Sequence, residues 1–111
     1  MLLPNAKTAY VPDEKVSGYL LSDTHPVGKT KSKLLKQLGF TEADRPRLTA
    51  GLLALARTQN VHEETITRYG VKFAVDGVLR TPSGHEIKMR TIWIAETNEP
   101  GPRFVTAYPA P

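Results

Sequence analysis

The chain has 111 residues, a net charge of +4 and no cysteine. This length favours a single domain spanning residues 1–111, and the lack of cysteine excludes disulfides, thiolate metal sites and cysteine nucleophiles. Its longest apolar runs are far shorter than the roughly 20 residues of a membrane span, and no secretory signal precedes them, so we expect a cytoplasmic protein with no membrane segment.

Two helices are predicted in the first 40 residues. Pro12 and Asp13 form a start signal, and apolar residues at helical spacing extend the first helix to Ser22. Pro26 suits the first turn of a second helix, which we expect to run to about Leu38 and to end at Gly39, a residue suited to a left-handed cap.

A third helix is predicted after Phe40. Thr41 and Asp44 resemble a helix-start pair, although Pro46 lies inside the expected helix and shifts its beginning by up to a turn. An apolar stripe follows, formed by Leu48, Leu52, Leu55 and Ala56.

After Asn60 the apolar pattern changes to a period of two, which is typical of strands. The segment 71–76 alternates apolar and other residues, and 87–95 is the clearest strand of the chain. A final strand is expected over 103–108 and an edge strand over 63–68, with only the last three residues unstructured. The predicted fold class is therefore α+β: two or three N-terminal helices (about 13–60) packed on a four-stranded antiparallel sheet (about 61–108).

The positive charge is concentrated in the helical half. Up to Asn60 there are nine basic and five acidic residues, whereas the remainder has six of each. On a helical wheel Lys29, Lys33 and Lys36 cluster on one face of the second helix, where they are candidate substrate-binding residues for an RNA partner. The alternative is that these lysines only keep a helix face solvated.

Lys31 falls instead on the leucine side of that helix. A lysine on an inward side needs water or an anion for its ammonium group. We expect it to line a cleft between helix and sheet, with His25 at the mouth of the cleft, as candidate catalytic residues. The alternative is that Lys31 reaches solvent near the helix start.

The sheet contributes three further candidates, which we expect to open into the same cleft as Lys31 and His25. Thr106 and Tyr108 lie two residues apart on one strand and so share a face, and Arg90 lies in the clearest strand. Each offers a donor to phosphate oxygens. Taken singly, Arg90 is more often a surface cross-strand partner and Tyr108 a core or rim aromatic.

This set is sufficient for RNA cleavage without a metal or other cofactor. The reaction needs a group that accepts the 2′-hydroxyl proton, a group that protonates the leaving 5′-oxygen, and cations beside the phosphorane. His25 titrates near neutral pH and suits either proton transfer. The histidines show no metal-ligand spacing, and Gly28-Lys-Thr30 lacks the earlier glycine of a phosphate-binding loop.

Nearly the whole chain resembles a small bacterial family with the pattern HPxGxxK. The resemblance is carried by the following segments: Tyr19-Leu-Leu21, His25-Pro-x-Gly-x-x-Lys31, Leu38-Gly-Phe40, Tyr69-Gly-x-Lys-Phe73, Arg90-Thr-x-Trp-Ile94 and Val105-Thr-Ala-Tyr-Pro109. In layout this family is similar to ribonuclease toxins of the barnase, EndoU, colicin and RelE (BECR) group.

The resemblance implies a metal-independent endoribonuclease that acts on tRNA or mRNA and is neutralised by a cognate antitoxin or immunity protein. It also implies catalytic roles for His25, Lys31, Arg90, Thr106 and Tyr108. We expect a component of a toxin–antitoxin or polymorphic toxin system, and of these we favour an intracellular toxin–antitoxin component over the tip of a secreted effector. The alternative function is a non-catalytic RNA- or protein-binding module of such a system.

Overall fold

The computed structural model describes residues 1–16 and 28–111, with side chains described from residue 33 onward in the second range. It contains helices near the N-terminus followed by a four-stranded antiparallel sheet, so the predicted α+β class is confirmed. The elements are α1 (Asp13–Lys15), α2 (Gly28–Gln37), α3 (Arg45–Thr58), β1 (Val61–Thr67), β2 (Gly70–Arg80), β3 (Glu86–Ala95) and β4 (Arg103–Pro109).

The helix boundaries follow local chemistry. Gly39 has a φ of 96°, and the Phe40 amide donates to the Leu35 carbonyl at 2.9 Å, so the left-handed glycine caps α2 as predicted. Before α3, the Thr41 amide donates to the Asp44 carboxylate at 2.8 Å, and Pro46 lies in the first turn of the helix. The first helix begins at Asp13 as expected, but its predicted end at Ser22 lies outside the described residues, as does Pro26.

The sheet has the strand order β1-β2-β3-β4, with each strand antiparallel to the next along the chain. The predicted edge strand is β1. A turn at Thr81 to Gly84 joins β2 to β3, with the Gly84 amide donating to the Thr81 carbonyl at 3.0 Å. The expectation that the last three residues are unstructured is wrong for Pro109 and Ala110: Pro109 ends β4, and the Ala110 amide donates to the Lys88 carbonyl at 2.9 Å.

One face of the sheet packs against the helices. The buried stripe of α3 predicted from the sequence (Leu48, Leu52, Leu55 and Ala56) belongs to the same core cluster as Phe73, Val75, Trp93, Phe104 and Ala107. Trp93 and Phe104 contact edge to face, with ring centroids 5.3 Å apart. Leu35 of α2 joins this cluster. We call this side of the sheet the core face.

Buried polar atoms on the core face are satisfied. The Trp93 indole N–H donates to Thr91 Oγ1 at 2.8 Å, and that hydroxyl donates to the Val75 carbonyl at 2.8 Å. Both side chains are fully buried. None of the described helices is long and apolar enough to span a membrane.

Candidate functional site

The side of the sheet opposite the core face carries most of the polar side chains, and we call it the polar face. Successive residues of a strand point to opposite sides of the sheet, and directly paired residues of neighbouring strands point to the same side. The strand pairing therefore shows which residues share the polar face. Asp76, Arg90 and Tyr108 form one row across β2, β3 and β4. Ala74, Ile92 and Thr106 form the next row, which Glu63 of β1 extends.

Arg90 and Asp76 form a two-point ion pair at the centre of the polar face. Arg90 Nε lies 2.8 Å from Asp76 Oδ1, and Nη2 lies 2.9 Å from Oδ2. The two side chains are only 16% and 15% exposed. These two hydrogen bonds use two of the five N–H donors of the Arg90 guanidinium. They fix the plane of the guanidinium and leave the other donors for another acceptor.

The pair keeps both groups charged. The hydrogen bond from Arg90 lowers the pKa of Asp76 against the opposing effect of burial, and the charges of Arg90, His62 and Lys88 lower it further. The bond to Asp76 raises the pKa of Arg90, and a smaller contribution comes from a hydrogen bond with the Tyr108 hydroxyl. Tyr108 is the cross-strand partner of Arg90, so its side chain lies beside the guanidinium on the polar face.

Beside this pair lies a shallow groove of about 170 Å³. Ala74 and Ile92 are cross-strand partners at its centre, where the small alanine side chain leaves space. The lining includes Glu63, Thr65, Lys72, Ala74, Arg90, Ile92 and Tyr108. This space is large enough for several water molecules and therefore for a phosphate-sized group.

Both strands that flank the central hairpin are irregular next to the groove. The pairing of β1 with β2 shifts register between Val61 and Glu63, and the pairing of β3 with β4 shifts between Ile92 and Trp93. A β-bulge bends the strand and redirects neighbouring side chains, and bulges are common beside active sites. The first irregularity directly precedes Glu63.

The structure brings together part of the site predicted from the sequence. Arg90 and Tyr108 are neighbours, and Thr106 lies one row along on the same face, half-buried. Of the other two predicted catalytic residues, His25 lies outside the described residues, and so does the side chain of Lys31. Their predicted roles stay predictions.

The predicted substrate-binding lysines lie on α2. The side chains of Lys33 and Lys36 are exposed, and neither lines the groove; the side chain of Lys29 lies outside the described part of the chain. We expected the sheet candidates in a cleft between helix and sheet. The helix α3 packs on the core face instead, so Arg90, Thr106 and Tyr108 lie on the side of the sheet that faces away from it.

Sequence reasoning missed three charged residues of this region: Glu63, Lys72 and Asp76. The alternation in β2 already assigned Lys72 and Asp76 to the face opposite Phe73 and Val75. What the sequence lacked was the register of the neighbouring strands, which pairs Asp76 with Arg90. Glu63 gave no signal because the bulge before it is visible only in the pairing.

In chemical terms the groove offers cations, hydroxyl donors and one carboxylate around a phosphate-sized space. Arg90 and Lys72 supply positive charge, and Tyr108 and Thr65 supply hydroxyl groups. Within the ranges that the structure describes, no group of three histidine or acidic side chains is placed to hold a metal ion. The arrangement is suited to binding an anionic group and to transferring protons beside it.

Two of three comparisons with known proteins find a match, and each match covers nearly the whole chain. The model of a family described as a domain of unknown function (DUF6883) matches residues 2–111. A search of curated proteins finds no match. Among solved structures, a chain of the contact-dependent growth inhibition toxin–immunity protein complex from Klebsiella pneumoniae 342 is similar, with a TM-score of 0.73 and 16% identity. The alignment covers 95% of this chain and 96% of that chain, so the two share a fold.

Proposed function

We propose that this chain, which belongs to the DUF6883 family, is the toxin of a toxin–immunity system and acts as a metal-independent endoribonuclease. The observation that carries the proposal is the buried Arg90–Asp76 ion pair, with Tyr108 as the cross-strand partner of Arg90, beside a phosphate-sized groove. Such a fixed, charged donor stabilises the extra negative charge of a phosphorane more than that of the ground-state phosphodiester.

The fold supports the toxin half of the proposal. The structural neighbour belongs to a toxin–immunity complex, and the likeness extends over nearly all of both chains. A toxin of this kind would need a cognate immunity protein in the cell that makes it. The net charge of +4 favours RNA as the substrate and an acidic surface on the protein partner.

Roles follow for the predicted site residues. Arg90 stabilises the phosphorane, and Tyr108 and Thr106 orient the phosphate through hydroxyl groups. Lys31 adds a second positive charge, and His25 transfers a proton. Lys29, Lys33 and Lys36 bind the RNA backbone outside the groove. The substrate class is tRNA or mRNA, and the proposed BECR-type chemistry requires no cofactor.

A binding module is the second candidate function. The structural neighbour comes from a complex of two proteins, a toxin and an immunity protein, so fold alone supports either role. The basic helical half favours a surface that docks RNA or an acidic protein without cleaving anything. The two functions differ in which residues matter, because catalysis depends on the groove and docking on the outer lysines.

The test is to incubate purified protein with total cellular RNA in the presence of a chelator and to follow cleavage on a sequencing gel. A nuclease produces discrete fragments, and His25→Ala or Lys31→Ala abolishes them and relieves growth arrest on expression. The matched control is Lys33→Ala, which removes the same charge from an exposed position and should only weaken binding. A docking module instead gives salt-dependent RNA binding, no product at any pH, and the largest loss with the outer lysines replaced.

A further inference from the structure

We infer that Tyr69, in the turn between β1 and β2, stacks on an unpaired RNA base next to the groove. The inference rests on the proposed function, because it adds a second contact for the same substrate. Tyr69 belongs to the segments that carry the family resemblance, yet neither the sequence nor the groove gives it a role. The inference also names the form of RNA that binds, which is a single-stranded segment or loop.

Tyr69 exposes an unusually large part of its ring. The residue is 70% exposed, against 36% for Tyr108 beside the groove. Burying an aromatic ring stabilises a fold, so a ring left in water gives up that gain. Single exposed apolar side chains are nevertheless common on protein surfaces, and what surrounds the ring therefore decides its role.

Positive charge lies beside the ring on the same hairpin. The guanidinium carbon of Arg68 is 5.7 Å from the centroid of the Tyr69 ring, within the range of a cation–π contact. Lys72, at the start of β2, lines the groove. Among the described residues neither cation forms an ion pair, so both charges are available to an anionic ligand.

An aromatic ring flanked by cations is suited to single-stranded nucleic acid. The ring stacks on a base, and the cations contact the phosphates on either side of it. A base in a duplex is already stacked and paired, and only an unpaired base can lie on a protein ring. The hairpin therefore favours a single-stranded segment of RNA.

The turn holds Tyr69 in a fixed position. The Thr67 hydroxyl donates to the Gly70 carbonyl at 2.7 Å and accepts a hydrogen bond from the Tyr69 amide at 3.2 Å. Gly70 has a φ of 139°, and a β-carbon there would collide with the carbonyl oxygen of Ala95, so the turn packs closely on the end of β3. A ring on a rigid turn loses little entropy when a base stacks on it.

The turn also lies within reach of RNA bound in the groove. Ala74, at the centre of the groove, is four residues from Gly70 along β2, and Lys72 lies between them. The rise of a strand makes this distance roughly 13 Å. A strand of RNA that leaves the groove along β2 therefore passes Lys72 and reaches Tyr69 within a few nucleotides.

The same hairpin provides a matched apolar control. Ile66 is 82% exposed, and its partner in the register is Val71. Since Lys72 and Ala74 lie on the polar face, Val71 and Ile66 belong to the opposite side of the sheet. Ile66 is as accessible as Tyr69 but lies on the side away from the groove, and it has no ring to stack on a base.

The first test measures stacking directly with Tyr69→Trp. The only native tryptophan, Trp93, is fully buried, so a change in emission on binding reports on the introduced indole. The probe is a 2′-O-methylated oligoadenylate, which cannot be cleaved through its 2′-oxygen. It should quench the emission, whereas inorganic polyphosphate and a duplex of the same length should not, because neither offers an unpaired base.

The second test measures affinity for the same oligoadenylate. Tyr69→Ala should weaken binding by about 5- to 150-fold, the usual effect of removing one stacked ring, and raise the KM for a single-stranded substrate by a similar factor. Tyr69→Phe keeps the ring and should bind within about twofold of wild type, as should Ile66→Ala.

Three results would overturn the inference. Quenching by polyphosphate or duplex as strong as by the oligoadenylate would show that charge alone holds the RNA. Equal affinities of Tyr69→Ala and Tyr69→Phe would show that the ring does not stack. An equal loss with Ile66→Ala would assign the hairpin to general apolar contact, as on a surface that docks a protein.

Cleavage by the wild type is measured separately and keeps the two proposals apart. A protein that cleaves RNA without quenching at the introduced indole refutes the stacking role and leaves the proposed function standing. Base-specific quenching without any cleavage supports the stacking role, refutes the nuclease and favours the RNA-binding module.

Discussion

The hydrogen-bonded chain from Trp93 through Thr91 to Val75 lies directly behind the Arg90–Asp76 pair and holds β2 and β3 in register. Replacing Thr91 by Val removes the hydroxyl and keeps the shape of the side chain. The Trp93 N–H, buried and previously bonded at 2.8 Å, then has no acceptor. Leaving one buried donor unsatisfied costs about 1–3 kcal/mol, and the lost bond to the Val75 carbonyl about 1 kcal/mol more.

Part of this cost is offset by the added methyl group. A buried methyl contributes about 0.8 kcal/mol, so the net loss of unfolding free energy should be about 2 kcal/mol. Urea unfolding followed by tryptophan fluorescence measures it as a lower midpoint at an unchanged slope. Thr65→Val is the control, since Thr65 is an exposed strand residue, and it should change stability by less than about 0.5 kcal/mol. A Thr91→Val protein as stable as wild type would refute the claim that the hydroxyl satisfies Trp93.

Three further predictions concern the packing, the ion pair and the basic helix. Gly77→Ala should destabilise the protein by about 1–3 kcal/mol in urea unfolding, because a β-carbon there would lie 2.7 Å from Leu55 Cγ; an unchanged midpoint would contradict this packing. The difference in unfolding free energy between wild type and Asp76→Asn should be constant near neutral pH and shrink as the pH falls below about 3.9. The reason is that the pKa of Asp76 is lowered in the fold, so its stabilisation is lost only when acid protonates the carboxylate. A difference that stays the same from about pH 7 down to about pH 2 in urea unfolding would contradict this. Replacing Lys33 and Lys36 by Gln should reduce the slope of log RNA affinity against log salt concentration by about 0.7 per lost phosphate contact, measured in binding titrations at several salt concentrations. An unchanged slope would show that these lysines do not contact the RNA backbone.

The sequence was sufficient to predict the elements because each boundary is set by local chemistry. Gly39 ends α2 in the left-handed region, and Thr41 with Asp44 begins the next helix, and both signals act within a few residues. The period of two identified β2 and β3 for the same reason. Local signals in the sequence were therefore sufficient to predict the fold class.

Predicting the candidate site needed information that the sequence of a single strand does not contain. The placement of Arg90 beside Asp76 and Tyr108 depends on the register of three strands, which only the structure gives. The bulge that directs Glu63 is likewise a property of the pairing. The sequence correctly grouped Thr106 with Tyr108, since residues two apart on a strand share a face.

The central claim is that the polar face of the sheet cleaves RNA, and Arg90→Lys tests it most directly. Lysine keeps the charge but cannot form the two-point fork with Asp76, so the charge is no longer fixed beside the groove. Arg80→Lys is the matched control, because Arg80 lies on the same face at the end of β2, with its side chain 74% exposed.

The measurement is the rate of total RNA cleavage in the presence of a chelator. We predict a loss of about 10²- to 10³-fold for Arg90→Lys, the effect of removing one fixed donor from a developing negative charge, and a rate within about twofold of wild type for Arg80→Lys. Equal rates for the two variants, or no cleavage by the wild type, would contradict the claim.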